Sequence, residues 1–142
     1  LVLTERKTRF EIVRVLESKT AREVLRVLRE LRQEFGEDFR KLFKAIFCDN
    51  GCEFAAAKEM ERFAPIYYCH PYSSWERGSN ENQNKLIRRF CKKGKSMARV
   101  TADHAEYITL WMNNYPRRLL GWRRPADLMA AECAALGIKL AV

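Results

Sequence analysis

The sequence predicts an α/β fold in which helices flank a mixed, partly parallel sheet. Two observations indicate this class. Short apolar runs of strand length alternate with stretches of helical periodicity, and the first two runs are joined by a tight charged turn. The chain has 142 residues, of which 47% are hydrophobic, so we expect residues 1–142 to form one domain around one core. Within that domain, residues 117–142 are expected to be a C-terminal helical extension.

The first half of the chain starts with LVLTERKTRFEIVRVLES, which predicts a strand, a turn and a second strand. TAREVLRVLRELRQEFGEDF then predicts an amphipathic helix that ends at Gly36. LFKAIFCDNG predicts a short buried strand followed by a turn. The apolar positions of the second strand are Phe10, Ile12, Val15 and Leu16. The apolar face of the helix consists of Val24, Leu25, Val27, Leu28, Leu31 and Phe35.

The second half continues the alternation. AAAKEMERF predicts a helix closed by Pro65, and IYYCHP predicts the next strand. Thr101 is predicted to cap a later helix, and Pro125 occupies a favoured first-turn position of the last one. The predicted bounds of the three C-terminal helices are 79–93, 102–115 and 125–136.

The chain is strongly basic, since Lys and Arg outnumber Asp and Glu by 27 to 18, which gives a net charge of +9. This excess favours an acidic partner, with nucleic acid ahead of an anionic membrane surface. No apolar run approaches the ~20 residues that a membrane span requires, so no membrane partner is expected.

The five cysteines show no spacing of a disulfide framework, which indicates a reducing, intracellular setting. Cys48, Cys52, Cys69 and His70 could be considered as a zinc site, but their spacing is not a recognised ligand pattern. We therefore expect the cysteines to act as small buried hydrophobic residues.

Two acids are the candidates for chemistry. Asp49 directly follows a predicted strand, and Glu81 begins the helix after the next strand, so both could reach one edge of the sheet. Carboxylates in such a place can hold Mg²⁺ for phosphoryl transfer. The alternatives are that Asp49 serves only its turn, and that Glu81 is a favourable charge at a helix N-terminus.

The helix after Glu81 is basic on the side of that acid. Lys85, Arg88 and Lys92 share its predicted face, while Leu86, Ile87 and Phe90 lie on another side and are available for packing. A carboxylate beside a basic stripe suits a metal site next to a phosphate backbone. A solvated basic face would also explain the cations, but it gives no reason for the cluster of Asn80, Asn82 and Asn84.

Several of these stretches resemble known motifs. CDNGCEFA, followed by YYCHPYSSWERGSNENQNKLIRRF, resembles the second and third acidic motifs of DDE transposases, which have retroviral-integrase-like catalytic cores with a ribonuclease-H fold. LTERKTRF and NNYPRRLLGWRRPADL resemble a strand turn and the C-terminal signature of bacterial insertion-sequence transposases, specifically the family numbered thirty. The resemblance extends from Leu3 to about Leu128.

The resemblance implies roles for individual residues. Asp49 would be the second catalytic and metal-binding acid and Glu81 the third, whereas Glu76 would lie in the preceding loop. Tyr72 and Trp75 would either stack on bases or anchor the loop. The implied DNA-contacting residues are Asn80, Asn82, Asn84, Lys85, Arg88, Arg89 and Lys92.

The implied activity is metal-dependent cleavage and strand transfer of DNA. The resemblance implies Mg²⁺ or Mn²⁺ as cofactor, with two ions in the complete site, and element ends and a target duplex as partners. It also implies a homo-oligomer, no small-molecule substrate, and a bacterial cytoplasm with association to the nucleoid.

The sequence departs from the family pattern at its start. The family's first acid lies on a strand upstream of the ERKT turn, and this sequence begins at Leu1, only a few residues before that turn. Glu5 matches the turn and cannot replace that acid. We therefore expect a core that lacks its first strand, and two alternatives stay open: an inactive basic DNA-binding fragment, or a ribonuclease-H-like nuclease that only hydrolyses.

Overall fold

The structure, a computed structural model, describes residues 1–70, 78–92, 94 and 100–138. The chain divides into two compact units. One unit consists of Leu1–Val15 with Gly78–Val142, and the other consists of Leu16–Arg77. The first unit is thus discontinuous in sequence, and the second is inserted into it.

Strands and helices alternate along the chain as predicted. The strands are β1 (Val2–Thr4), β2 (Glu11–Val13), β3 (Ile46–Cys48) and β4 (Ile66–Tyr68). The described helices are α1 (Ala21–Phe35), α2 (Phe39–Leu42), α3 (Ala57–Met60), α4 (Gly78–Ile87), α5 (Ala102–Asn114) and α6 (Pro125–Ala135). The predicted α/β class is confirmed.

The described strands form two separate two-stranded sheets. β1 and β2 pair antiparallel, with Leu3 opposite Ile12, whereas β3 and β4 pair parallel, with Phe47 opposite Tyr67. Each sheet belongs to a different unit. The antiparallel and parallel pairings expected of the mixed sheet are therefore both present, one in each unit.

The unit Leu16–Arg77 is built around α1. Its buried residues Val24, Leu25, Val27, Leu28 and Leu31 belong to the predicted apolar face, whose sixth member, Phe35, is half-buried. Gly36 ends the helix with a φ of 52°, a conformation that favours glycine. Beyond it, the ring of Phe39 stacks on that of Phe43 at 4.4 Å between centroids and meets the edge of Phe63. These aromatic contacts extend the core beyond the end of α1.

The other unit is built around α5, which packs on β2. Ala105, Ile108 and Met112 of the helix and Val13 of the strand form one buried cluster. The Thr101 hydroxyl accepts a hydrogen bond from the backbone N–H of His104 at 3.2 Å, which confirms the predicted cap. The last helix also begins at Pro125 as predicted.

The buried face of β2 differs from the predicted one. Glu11 and Val13 are buried, whereas Ile12, which was assigned to the apolar positions, is only half-buried. The cause lies in α5. The Asn113 side chain accepts from the Glu11 N–H at 2.8 Å and donates to the Glu11 carbonyl at 2.9 Å, and Thr109 Oγ1 accepts from the Val13 N–H at 3.0 Å. These side chains satisfy the open edge of β2 and draw Glu11 into the interior.

Two helices are shorter than predicted. α3 is a single turn, and α4 ends at Ile87 rather than near residue 93. After Ile87, the backbone N–H groups of Arg89 and Phe90 donate to carbonyls three residues back. The Phe90 ring meets the edge of Trp111 at 5.0 Å between centroids. The tighter turn thus accompanies the packing of Phe90 on α5.

Candidate functional site

Asp49 lies at the carboxyl end of β3, as predicted, and its loop is fixed by local hydrogen bonds. Its Oδ1 accepts from the Gly51 N–H at 3.1 Å, which is the geometry of an Asx turn. Asn50 Nδ2 donates to the Cys69 carbonyl at 3.2 Å and so ties the loop to the residue after β4. Asp49 itself is half-buried. The carboxylate is therefore held at the end of the two parallel strands by the backbone N–H of Gly51.

Glu53 is a second acid in this loop, and it was not among the residues predicted from the sequence. A Cβ atom at Gly51 would lie 2.4 Å from Glu53 Oε2 and 3.0 Å from Asp49 Oδ1, so both carboxylates approach the same glycine. Lys19 pairs with Glu53 Oε2 at 3.4 Å. The signal that could have identified Glu53 is its place in the stretch DNGCEF, four positions after Asp49.

The Asp49 loop has the kind of donor that Mg²⁺ requires. Carboxylate oxygens are the preferred ligands of this hard cation, and Asp49 presents one at a strand end. Within residues 1–70 and the other described segments, no three His, Cys, Asp or Glu side chains are grouped so that they could hold a metal. Asp49 thus fits the role of one metal ligand.

The cysteine residues near this loop are mostly packed inside. Cys48 and Cys69 are buried, as predicted for small hydrophobic residues, whereas Cys52 is exposed. Cys48 Sγ contacts the Tyr67 carbonyl oxygen at 3.8 Å within the parallel pair.

Glu81 lies in the first half of α4, but its side chain is outside the described part of the chain, as is that of Asn80. Tyr72, Trp75 and Glu76 also fall outside the described residues. Asp49 and Glu81 belong to different units. Their joint action on one metal site stays a prediction.

The predicted DNA-contacting side chains that the structure describes are all exposed: Asn82, Asn84, Lys85, Arg88, Arg89 and Lys92. They do not all share one helical face. Because α4 ends at Ile87, the extension of that face to Lys92 was wrong. The Arg89 guanidinium lies 5.8 Å from the ring centroids of both Trp111 and Tyr115, so the rings orient its charge.

A buried acid lies in the same unit as α4. Glu11 is 0% exposed, and Thr4 Oγ1 donates to its Oε2 at 2.9 Å. Burial raises the pKa of Glu11 from 4.5 to about 8, an effect that the Thr4 hydrogen bond and the charges of Arg117 and Arg9 only partly offset. This residue was not predicted from the sequence, because a charged residue in a strand next to a turn is usually exposed.

Comparison with known proteins finds relatives among the transposases of bacterial insertion sequences. The chain is 36% identical over 128 residues to a probable transposase of the insertion-like element IS1161 from Streptococcus salivarius, covering 90% of this chain and 35% of that protein. It is 30% identical over 129 residues to the transposase InsI of IS30A from Escherichia coli, covering 89% of this chain and 33% of that protein. It is 43% identical over 90 residues to the transposase of IS4351 from Bacteroides fragilis, covering 62% of this chain and 28% of that protein.

The chain therefore spans about a third of the length of the curated relatives it matches. Among solved structures, the catalytic core domain of BIV integrase superposes with a TM-score of 0.63 at 20% identity, covering 95% of this chain and 88% of that one. This likeness confirms the integrase-core fold. No protein-family model matches the sequence. Within the described residues, every helix is too short or too polar to cross a bilayer.

Proposed function

Because this chain is homologous to a segment of the insertion-sequence transposases, IS30 members among them, and has the fold of an integrase catalytic core, we propose that it forms part of a DNA-cleaving and strand-transferring catalytic core. The observation that supports this most directly is the position of Asp49. Its carboxylate is fixed by an Asx turn at the end of a parallel strand pair, where ligands of α/β sheets bind.

Asp49 and Glu81 are proposed to hold the catalytic metal, which is Mg²⁺ or Mn²⁺, with two ions in the complete site. When bound, these ions supply an activated water or hydroxyl and neutralise charge on the phosphate oxygens. The chain's own residues position the DNA. Lys85 and Arg88, both exposed, are proposed to contact backbone phosphates next to Glu81, which lies on the same helix.

The reaction consists of two phosphoryl transfers. Water attacks a phosphodiester at the end of the element and releases a 3′-hydroxyl, which then attacks a phosphodiester of the target duplex and displaces another 3′-hydroxyl. No covalent intermediate with the protein is needed, so the protein acts by positioning and electrostatic stabilisation. Holding two DNA ends together suits a homo-oligomer, and the site of action is the bacterial cytoplasm at the nucleoid.

Plasmid nicking tests this proposal. Supercoiled DNA is incubated with the chain, with Asp49→Asn, with Glu81→Gln and with Asp38→Asn, which changes a half-buried acid that pairs with Lys41 in the same unit as Asp49. We expect the first two changes to lower nicking by more than the ~10–100-fold that follows loss of an outer-shell partner. We expect Asp38→Asn to have no effect.

Plasmid binding, measured in parallel, separates the proposal from its alternatives. Binding by all four proteins without nicking by any of them would contradict catalysis by this chain and favour a DNA-binding segment. Nicking without joining of a 3′-hydroxyl end to a second duplex would favour a nuclease that only hydrolyses. Nicking that survives both Asp49→Asn and Glu81→Gln would contradict the assigned acids.

A further inference from the structure

A cavity of about 530 Å³ lies within the unit formed by Leu1–Val15 and Gly78–Val142, whereas Asp49 belongs to the other unit. We call it the Trp122 cavity. Its polar and aromatic lining includes Arg9, Gln83, Tyr115, Arg117, Arg118 and Trp122. Its volume falls in the ~300–1,000 Å³ range of small-ligand sites.

Two buried polar atoms of the lining residues have no hydrogen-bond partner among the residues that the structure describes. Gln83 is 5% exposed, and its Oε1 accepts no hydrogen bond. Arg117 is 8% exposed, and its Nε donates none. Buried polar groups are nearly always paired, because an unpaired one loses its hydration without compensation. Two lining residues thus each carry one unused polar atom, an acceptor on Gln83 and a donor on Arg117, which a ligand with both kinds of group would satisfy once these side chains turn towards it.

Backbone strain is concentrated at the same place. Among the described residues other than glycine, a positive φ occurs at Arg9 (62°) and at Trp122 (64°), and both line the Trp122 cavity. Such conformations cost free energy and cluster at ligand clamps and active sites. The two residues come from distant parts of the chain, so a single irregular turn does not explain both.

The strain at Trp122 presents an indole ring to solvent. Gly121 and Trp122 are the central residues of a turn closed by the Arg123 N–H, which donates to the Leu120 carbonyl at 3.4 Å. Turns with two positive φ values favour Gly, Asn or Asp, yet a Trp that is 69% exposed occupies the second position. An exposed ring held by an unfavourable backbone is a surface for stacking.

The charge of the cavity favours an anion. Arg9, Arg117 and Arg118 are among its lining residues, and none of the described lining residues is an acid. The Arg117 guanidinium also lies 5.6 Å from the centroid of the Tyr115 ring, so a cation and an aromatic face are presented together. A ligand that matches the cavity is therefore aromatic, carries hydrogen-bond donors and acceptors, and bears negative charge.

We propose that the Trp122 cavity binds one unpaired nucleotide of a DNA strand. The base stacks on Trp122 and uses its polar edge to satisfy Gln83 Oε1 and Arg117 Nε, while Arg118 meets the adjoining phosphate. A paired base cannot bind in this way, because its edge and both its faces are already used within the duplex. The choice of DNA rests on the proposed function, whereas the nucleotide chemistry rests on the cavity.

The test compares two labelled DNA duplexes by fluorescence anisotropy in EDTA, where no metal-dependent cleavage occurs. One duplex is fully paired, and the other carries one extra, unpaired thymidine in the middle of one strand. We expect the protein to bind the bulged duplex roughly tenfold more tightly, as one base–aromatic stack would provide. The readout is the ratio of the two dissociation constants. Both duplexes offer nearly the same phosphate backbone, so the general affinity for phosphate contributes almost equally to both constants and largely drops out of the ratio.

Three variants test whether the preference for the bulged duplex depends on the Trp122 cavity. Trp122→Gly removes the ring and suits the positive φ, and Gln83→Leu removes the unused acceptor without leaving another. Both should bring the ratio close to one without loss of thermal stability. Trp122→Phe keeps an aromatic ring and should retain most of the preference.

Arg118→Gln tests the phosphate contact. It should lower affinity for the bulged duplex more than Arg40→Gln, which removes an exposed charge from the other unit. Asp49→Asn changes the proposed metal site and not the cavity, so it should leave the ratio of the two dissociation constants unchanged.

The possible failures are distinct. Equal binding of both duplexes by the unaltered chain, or a preference that survives Trp122→Gly and Gln83→Leu, would overturn the nucleotide cavity and leave the proposed catalysis intact. A stronger preference for an unpaired uridine in an RNA duplex would overturn the assignment to DNA. Loss of nicking in Asp49→Asn with the bulge preference retained would support both proposals independently.

Discussion

The buried carboxyl group of Glu11 couples the stability of its unit to pH. Its folded-state pKa of about 8 lies above the value of 4.5 that applies when the chain is unfolded and solvated. Between these two values the folded protein keeps a proton that the unfolded chain releases. The contribution of this proton to the free energy of unfolding is at its full value below about pH 4.5 and is lost as the pH rises towards 8.

We therefore predict that the free energy of unfolding falls with rising pH between about 4.5 and 8, by up to ~1.4 kcal/mol per pH unit. Glu11→Gln keeps a neutral group that can bond to Thr4 and should remove this part of the slope. Urea unfolding across the interval measures it, with Glu106→Gln, an exposed acid on α5, as the control. A slope unchanged by Glu11→Gln would show that the acid is ionised in the folded state.

Within the candidate site, the residues whose position depends only on neighbouring residues in the chain could be predicted from the sequence. Asp49 was identified because the turn signal follows a strand, and that turn is closed by the Gly51 N–H. Glu53 was missed because its approach to Gly51 depends on how the following 3-10 turn places its side chain. The Trp122 cavity was missed because Arg9, Gln83 and Trp122 come from separate segments that only tertiary structure brings together.

Among the elements, α5 completes the hydrogen bonding at the edge of the β1–β2 sheet. Asn113 replaces a neighbouring strand by bonding both the N–H and the carbonyl of Glu11, and it is itself 4% exposed. A helix side chain thus completes the hydrogen bonding of a strand edge, which would otherwise lie buried without partners.

Replacement of Asn113 should consequently destabilise the protein strongly. Asn113→Leu leaves a buried N–H and a buried carbonyl of Glu11 unpaired, at ~1–3 kcal/mol each. Asn114→Leu alters the adjacent, exposed amide and should change stability by less than ~0.5 kcal/mol. Urea unfolding of the two variants provides the comparison, and equal effects would contradict the role assigned to Asn113.

The helices also show which structural features can be predicted from sequence patterns. The boundaries set by Gly36, Thr101 and Pro125 were predicted, because caps and helix breakers act within a few residues. The buried face of β2 and the end of α4 were not predicted. The buried face of β2 depends on Asn113, which follows Glu11 by 102 positions in the chain. The end of α4 accompanies the packing of Phe90 on Trp111.

For the molecule as a whole, the net charge of +9 bears on the DNA binding proposed above. Each phosphate that a cation neutralises releases counterions, so the affinity falls steeply as salt rises. The exposed cations on and after α4 are proposed to bind phosphates in this way, whereas cations elsewhere contribute only to the general field.

We predict that Lys85→Gln combined with Arg88→Gln lowers the slope of log affinity against log salt by about 0.9 for each phosphate that is no longer neutralised. The matched control is Arg40→Gln with Lys44→Gln, which removes the same charge from exposed positions in the other unit. Titration of a paired duplex at several salt concentrations measures the slopes. Equal slopes for the two double variants would contradict phosphate binding at α4.

The discontinuous unit also has a consequence for synthesis on the ribosome. The β1–β2 hairpin is translated before α5, because Asn113, which completes its edge, follows Glu11 by 102 residues. The unit Leu16–Arg77 is fully translated in the interval and is free to fold ahead of it. Until α5 leaves the exit tunnel, the nascent hairpin presents an unpaired edge to other chains, so in the crowded polysome this edge is a point at which aggregation can begin.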